Sequence, residues 1–130
     1  MNDIDTLIQK IISASFIVHN QLGSGFLEKI YEKALAIELR KQNIDFQTQY
    51  PIDVYYDDLK IGDYFADLLA EEQVLVVLKA VSMLKDEHVA QSLNYLRATG
   101  LEICLLINFG TTKVQLKRLR RSVHWKPPTT

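Results

Sequence analysis

The chain has 130 residues, 48% of them hydrophobic and 24% charged, with a formal net charge of −1. That balance excludes a disordered chain, and the near-neutral charge excludes a global field drawing the protein to nucleic acid. The apolar runs are too short to span a bilayer and the acidic opening Met-Asn-Asp-Ile-Asp is not a secretory signal, so a cytoplasmic protein is expected, with no membrane partner.

Ile4, Leu7, Ile8, Ile11, Ser15, Val18 and Leu22 recur at helical spacing and predict a first helix over 3–21, with Asn2 or Asp3 as its cap. Gly23-Ser24-Gly25 stops it. Between two helices this is a turn, because a dinucleotide cradle needs a preceding strand. A second helix is predicted over 27–41, with Leu27, Ile30, Tyr31, Ala34, Leu35 and Leu39 inward and Arg40 and Lys41 favourably placed in its last turn.

The period then changes from helical to alternating. Residues 46–56 read as a strand, with Pro51 marking an edge or a bulge. Asp57-Asp58 is a turn, and 59–69 a second strand bent at Gly62. Glu71-Glu72-Gln73 is a further turn, and 74–81 a third strand. The second and third strands are apolar on both faces and should lie centrally under cover on both sides.

Residues 85–99 return to helical spacing, with Val89, Leu93 and Leu96 inward, Asp86 and Glu87 in the first turn, and Gly100 as the stop. A buried strand over 101–109, a turn at Asn108-Phe109-Gly110 and a fifth strand over 113–119 follow. The tail 126–130 should fray. A helical crossover between the third and fourth strands allows that pair to be parallel. The single cysteine, Cys104, sits in an apolar run, so it reads as a buried small hydrophobe.

The most informative stretch is 64–80. Into an apolar hairpin it places one carboxylate, Asp67, and one ammonium, Lys79. Burying either is costly unless it is paired or does chemistry. With a three-residue turn at 71–73, Asp67 lies opposite Val77 and diagonal to Lys79, and Asp67 shares a face with Leu69. A two-residue turn would put the two charges on opposite faces. A divalent metal beside such a pair lowers the pKa of an attacking water and neutralises a phosphate, and a lysine steadies transition-state charge.

Gly25-Phe26-Leu27-Glu28-Lys29-Ile30-Tyr31 fits the pattern G-x-x-E-x-x-Y. Further stretches follow in order: Tyr64 to Leu69, Leu78-Lys79-Ala80, Gln91 to Leu96 and Leu105 to Gly110. On these motifs, spread over about residues 5–121, the chain resembles the GxxExxY protein family, which is similar to a compact branch of the PD-(D/E)XK nuclease-like superfamily. The resemblance implies one α/β domain over 1–125. Its fold would be a restriction-endonuclease-like mixed five-stranded sheet flanked by helices, in the order ααβββαββ. It also implies magnesium-dependent hydrolysis of DNA. Carried over, Asp67 holds the metal, Lys79 is the lysine, Glu28 is a helix-borne metal ligand or support, and Gln91 matches a glutamine near the site.

One position departs from that pattern. The acid two residues before Lys79 is replaced by Val77, which cannot ligate magnesium. A weakened or lost activity is therefore expected, unless Glu28 supplies the missing acid. Lys79 can equally be a structural partner of Asp67. Tyr31 should be a packed aromatic whose hydroxyl braces Glu28, and Gln91 and Tyr95 can serve helix–sheet contact. His19, His88 and His124 show no ligand spacing, although His88 can edge the pocket. Lys113, Lys117, Arg118, Arg120, Arg121 and Lys126 form a basic C-terminal stretch able to track phosphates or to guard an edge strand. Three classes stay open: an impaired nuclease, a non-catalytic nucleic-acid-binding module, and a protein-interaction module such as a homodimer.

Overall fold

The computed structural model describes residues 3–122. The elements are α1 (Asp3–Leu22), α2 (Glu28–Lys41), β1 (Phe46–Tyr56), β2 (Leu59–Ala70), β3 (Val74–Lys79), α3 (Asp86–Thr99), β4 (Ile103–Asn108) and β5 (Gln115–Arg120). The sheet runs β1-β2-β3-β4-β5 in space. The β3–β4 pair is parallel and the other neighbours are antiparallel, so the sheet is mixed and α3 is the crossover. Residues 123–130, including the expected frayed tail, His124 and Lys126, lie outside the described residues.

Each helix buries the stripe that its apolar period defines. Leu7, Ile8, Ile11, Ala14, Ser15 and Val18 line the inner face of α1, and Tyr31, Leu35, Ala36 and Leu39 that of α2. Together they cover one side of the sheet, against Leu68, Ala70, Val76, Leu78, Leu105 and Ile107. On the other side α3 brings Tyr95 and Leu96 onto Leu75, Val77, Cys104 and Leu106. Burying each large aliphatic side chain in these layers contributes about 2 kcal/mol.

Two side chains expected inward are exposed. Leu27 is the N-cap of α2 and precedes its first turn, and Ile30 stands one residue off the Tyr31–Leu35–Leu39 stripe. Ile30 is carried out to solvent by the 100° step of the helix, whereas Leu27, with extended backbone, is not yet on the helical face.

The predicted strands shift by a few residues. β3 stops at Lys79 and not at Val81, because the Asn108 side chain captures Val81. Asn108 Oδ1 accepts from the N–H groups of Val81 (2.9 Å) and Gly110 (3.0 Å), and its Nδ2 donates to the Val81 carbonyl (2.9 Å) and Gln115 Oε1 (3.0 Å). Gly110 sits so close that a Cβ there would lie 2.3 Å from the Val81 carbonyl oxygen. At Gly62 the β1–β2 register slips. Val54 opposes Gly62 and Tyr55 opposes Lys60, leaving Ile61 as the extra, bulged residue.

Candidate functional site

Glu71, Glu72 and Gln73 form the three-residue turn, and Leu68, Leu69 and Ala70 pair with Val76, Leu75 and Val74. That register, continued by one residue, sets Asp67 across from Val77. The ladder, however, ends at Leu68. Between the pairs Thr48–Leu68 and Tyr50–Ala66, the residues Gln49 and Asp67 are left out of the β1–β2 ladder, and Gln49 adopts a left-handed backbone (φ +51°). The alternation of faces breaks there. Ala66 packs on the α3 side, whereas Leu68, two residues on, packs on the α1/α2 side. Asp67 lies at this break, its carboxylate within electrostatic reach of Tyr95 and Cys104 in the layer that also holds Leu69.

Asp67 lies where β2 peels away from β3. Its Oδ2 accepts the backbone N–H of Leu78 at 2.7 Å and so replaces the ladder acceptor that β2 no longer offers. Burial pushes its carboxyl up to about 6, opposed by the Leu78 N–H. The Glu28 and Glu32 carboxylates raise it further, and the Lys79 ammonium lowers it. Asp67 is thus within the electrostatic reach of both α2 acids and of Lys79.

Lys79 is held elsewhere. Its Nζ donates to Gln91 Oε1 at 3.1 Å, tying the last residue of β3 to α3. Its carbonyl accepts from the Phe109 N–H at 2.8 Å. The reading of Lys79 as a direct structural partner of Asp67 is not met: Asp67 bonds to Leu78, Lys79 bonds to Gln91, and the two charges interact through space.

On α2, Glu28 is exposed at the first turn. Glu32, four residues on and 6% exposed, is the acid the helix buries. It accepts from Lys29 Nζ (3.0 Å) and from Gln49 Nε2 (2.7 Å). Neither Glu32 nor Gln49 was anticipated. Glu32 carries a faint signal, its spacing from Glu28 on one helix face. Gln49 carries none, since nothing local marks its left-handed conformation. Tyr31 packs as expected, stacked on Phe109 with ring centroids 4.7 Å apart. Its hydroxyl does not brace Glu28. It donates to the Gly23 carbonyl (2.6 Å) and accepts from the Phe26 N–H (3.2 Å), so it fixes the α1–α2 turn. His88 accepts the Lys85 N–H through Nδ1 at 2.9 Å and caps α3. Tyr95 is buried beside Tyr64, and burial followed by the Asp67 carboxylate holds its phenol above the ordinary value.

The PD-(D/E)XK nuclease superfamily matches residues 5–119 of this sequence. The chain belongs to that superfamily. Two solved structures resemble it. One is an alkaline exonuclease (LHK-Exo) from Laribacter hongkongensis, at 13% identity and a TM-score of 0.54, over 72% of this chain and 56% of that one. The other is SSO0001, at 12% identity and a TM-score of 0.52, over 73% and 50%. The chain spans about half the length of these structures. At such identities the likeness is one of fold, and it bears out the restriction-endonuclease-like arrangement ααβββαββ. No curated protein matches the sequence.

Superfamily membership implies a divalent metal, and the donor set here does not fit one. Val77 is 3% exposed within the α3-side core and offers no oxygen at the position where the sequence resemblance implies the second acid. Both Glu32 oxygens are engaged, one Asp67 oxygen is engaged, and Glu28 stands in solvent. Among the described residues, no three His, Cys, Asp or Glu side chains are grouped to hold a metal ion. Hard cations need several such oxygens.

The basic stretch is spread along an edge of this PD-(D/E)XK sheet. Lys117, Arg118 and Arg120 are exposed on β5, Lys113 lies in the preceding loop, and Arg121 follows β5 with its N–H on the Glu102 carbonyl. Arg118 is committed to Asp5 of α1 (3.0 Å). Among the described residues, no helix is long and apolar enough to cross a membrane.

Proposed function

We propose that this chain is a GxxExxY-type member of the superfamily, a single domain over 1–125, that keeps the nuclease-like scaffold but not metal-dependent cleavage. It acts by binding nucleic acid. The observation that carries this reading is Val77, a buried apolar residue just past the last β2–β3 pair, where the superfamily pattern would have an acid. With it, Asp67 is the only strand-borne carboxylate at the divergence of β2 and β3. Asp67, Lys79, Glu28 and Gln91 are the remnant of the hydrolytic centre. Asp67 now closes the end of the β2–β3 ladder, and Lys79 and Gln91 bolt α3 to the sheet. Magnesium has no adequate seat, and no chemical step is assigned to it.

The binding part rests on the exposed cations of β5. An edge strand carrying Lys117 and Arg120, with Lys113 before it, can contact two or three phosphates, so affinity should fall with salt with a log–log slope of about −2 to −3. The test has two arms. Incubation of single- and double-stranded DNA with the protein and Mg²⁺ or Mn²⁺ should give no cleavage. Cleavage abolished by Asp67→Ala would overturn the loss of activity. The double variant Lys117→Glu/Arg120→Glu should weaken retention of DNA and flatten the salt slope by about two. Affinity indifferent to salt would remove the nucleic-acid reading.

A further inference from the structure

Phe46, Leu68 and Ala70 pack in the layer on the α1/α2 side of the sheet, whereas Tyr50, Ile52 and Ala66 pack in the layer on the α3 side. All six are even-numbered, and in an uninterrupted antiparallel pair they would share one face. The register does not slip between the two groups. Thr48 opposes Leu68 and Tyr50 opposes Ala66, with Gln49 and Asp67 left out between them, one residue from each strand. The hairpin therefore turns over at Gln49 and Asp67, and the equal count on the two strands distinguishes this turnover from the bulge at Ile61.

The turnover rests on a backbone conformation that Gln49 does not favour. Its φ of +51° is left-handed, and a residue with a Cβ persists there only where its surroundings hold it. Gln49 is exposed, so core packing does not fix its side chain. Glu32 does. Gln49 Nε2 donates to Glu32 Oε1 at 2.7 Å, while Lys29 Nζ donates to the other oxygen at 3.0 Å. Glu32 is the buried acid of α2, so the bond to Gln49 is charge-assisted and shielded from water at its acceptor. Such a bond is strong enough to offset the strain of a single left-handed residue.

We propose that Glu32 is a positioning residue. By holding Gln49 left-handed it keeps the hairpin turned over, so that α2, on one side of the sheet, decides which face of the outer hairpin packs on α3, on the other. Two arrangements depend on it. Ile52 and Ala66 are buried in the α3-side layer with Tyr64 beside Tyr95, and Asp67 is free to meet the Leu78 N–H. Gln49 released into extended backbone would pair with Asp67 and send the even-numbered residues of the outer hairpin to the opposite face.

Two substitutions at position 49 delete the same side-chain bond and differ in backbone freedom. Gln49→Gly should keep the Leu78 amide protected from hydrogen exchange and keep the NOE between the Tyr64 and Tyr95 rings, because glycine takes a positive φ without strain. Gln49→Ala should lose that NOE and lower Leu78 protection by about 10- to 100-fold. Glu32→Ala should match Gln49→Ala, and Glu32→Gln, which retains an acceptor, should match the parent. Glu32→Ala combined with Gln49→Gly should restore both readings. Where Glu32→Ala fails to fold, the two variants at the exposed position 49 decide. Equal protection in Gln49→Gly and Gln49→Ala overturns the proposal. So does a folded Glu32→Ala with protection unchanged, or with a loss that Gln49→Gly does not restore.

Discussion

Asp67 Oδ2 accepts the Leu78 backbone N–H at 2.7 Å, across the gap where β2 leaves β3. One carboxylate oxygen thus does the work of a main-chain carbonyl. The bond requires the break at Gln49, because an unbroken ladder would have sent the Asp67 side chain to one face of the sheet and given Leu78 a backbone partner. The structural role of Asp67 and its availability for chemistry are therefore in competition.

That competition sets a pH dependence. The Asp67 carboxyl has an ordinary value of 3.8 and is pushed up to about 6, first by burial. Between those values the native state holds the proton more tightly than the unfolded chain, so stability is highest below the lower one and falls as pH rises through the window. Above about pH 6 the penalty is complete, at about 3 kcal/mol. Asp67→Asn keeps an acceptor for Leu78 without the charge. Its melting temperature should exceed that of the parent near pH 8 and converge with it near pH 4. A variant equally destabilised at both pH values would contradict this account.

Val77→Glu tests the missing ligand. Without metal it should cost about 3 kcal/mol, because a carboxylate replaces a side chain buried in the α3-side core. With Mn²⁺ or Mg²⁺ at about 100 times the dissociation constant it should regain about 2.7 kcal/mol, read as a rise in melting temperature that the parent does not show. DNA cleavage should appear alongside. A variant that is destabilised and blind to metal would mean that this pocket is core and not a nuclease centre lacking one acid.

Asn108 and Gly110 hold the chain just beyond Lys79. Asn108→Ala removes four hydrogen bonds and strands the Val81 N–H and carbonyl, at a cost of about 3 kcal/mol. Gly110→Ala drives a methyl into the Val81 backbone, which cannot swing aside, and should cost at least as much. Urea unfolding measures both. The amide resonance of Leu78 and the side-chain resonances of Gln91 should shift with them, since β3 ends at Lys79 only while that clamp holds.

Tyr31→Phe separates two roles of the motif tyrosine. It keeps the stack on Phe109 and loses the hydroxyl bonds to Gly23 and Phe26, so it should cost about 1–2 kcal/mol. Tyr31→Ala loses the stack as well and should cost about 4 kcal/mol. Urea unfolding of the two variants reads both costs.

Much of the fold was legible because it rests on local periods. The helical stripes of α1 and α3 and the change to alternation after residue 45 followed from spacing, whereas the choice between a two- and a three-residue turn at 71–73 was made only by the packed hairpin. Strand ends were not legible, because β3 is stopped by a side chain 29 positions from Lys79, Asn108. The site was half legible. Asp67, Lys79 and Gln91 converge on one region, but Glu32 was hidden among ordinary helix acids, and the true bonds of Asp67 and Lys79 were not foreseen.

The amino-acid order alone decided that an aspartate and a lysine sit in an apolar hairpin, and that valine stands where the second acid belongs. The first is a matter of composition and period, and the second is what the resemblance to the superfamily implies. Only the packed molecule decided which atom each charge meets. Whether a carboxylate faces a cation or a peptide N–H depends on where two strands part, and that point is set by Gln49, Glu32 and the layers on either side.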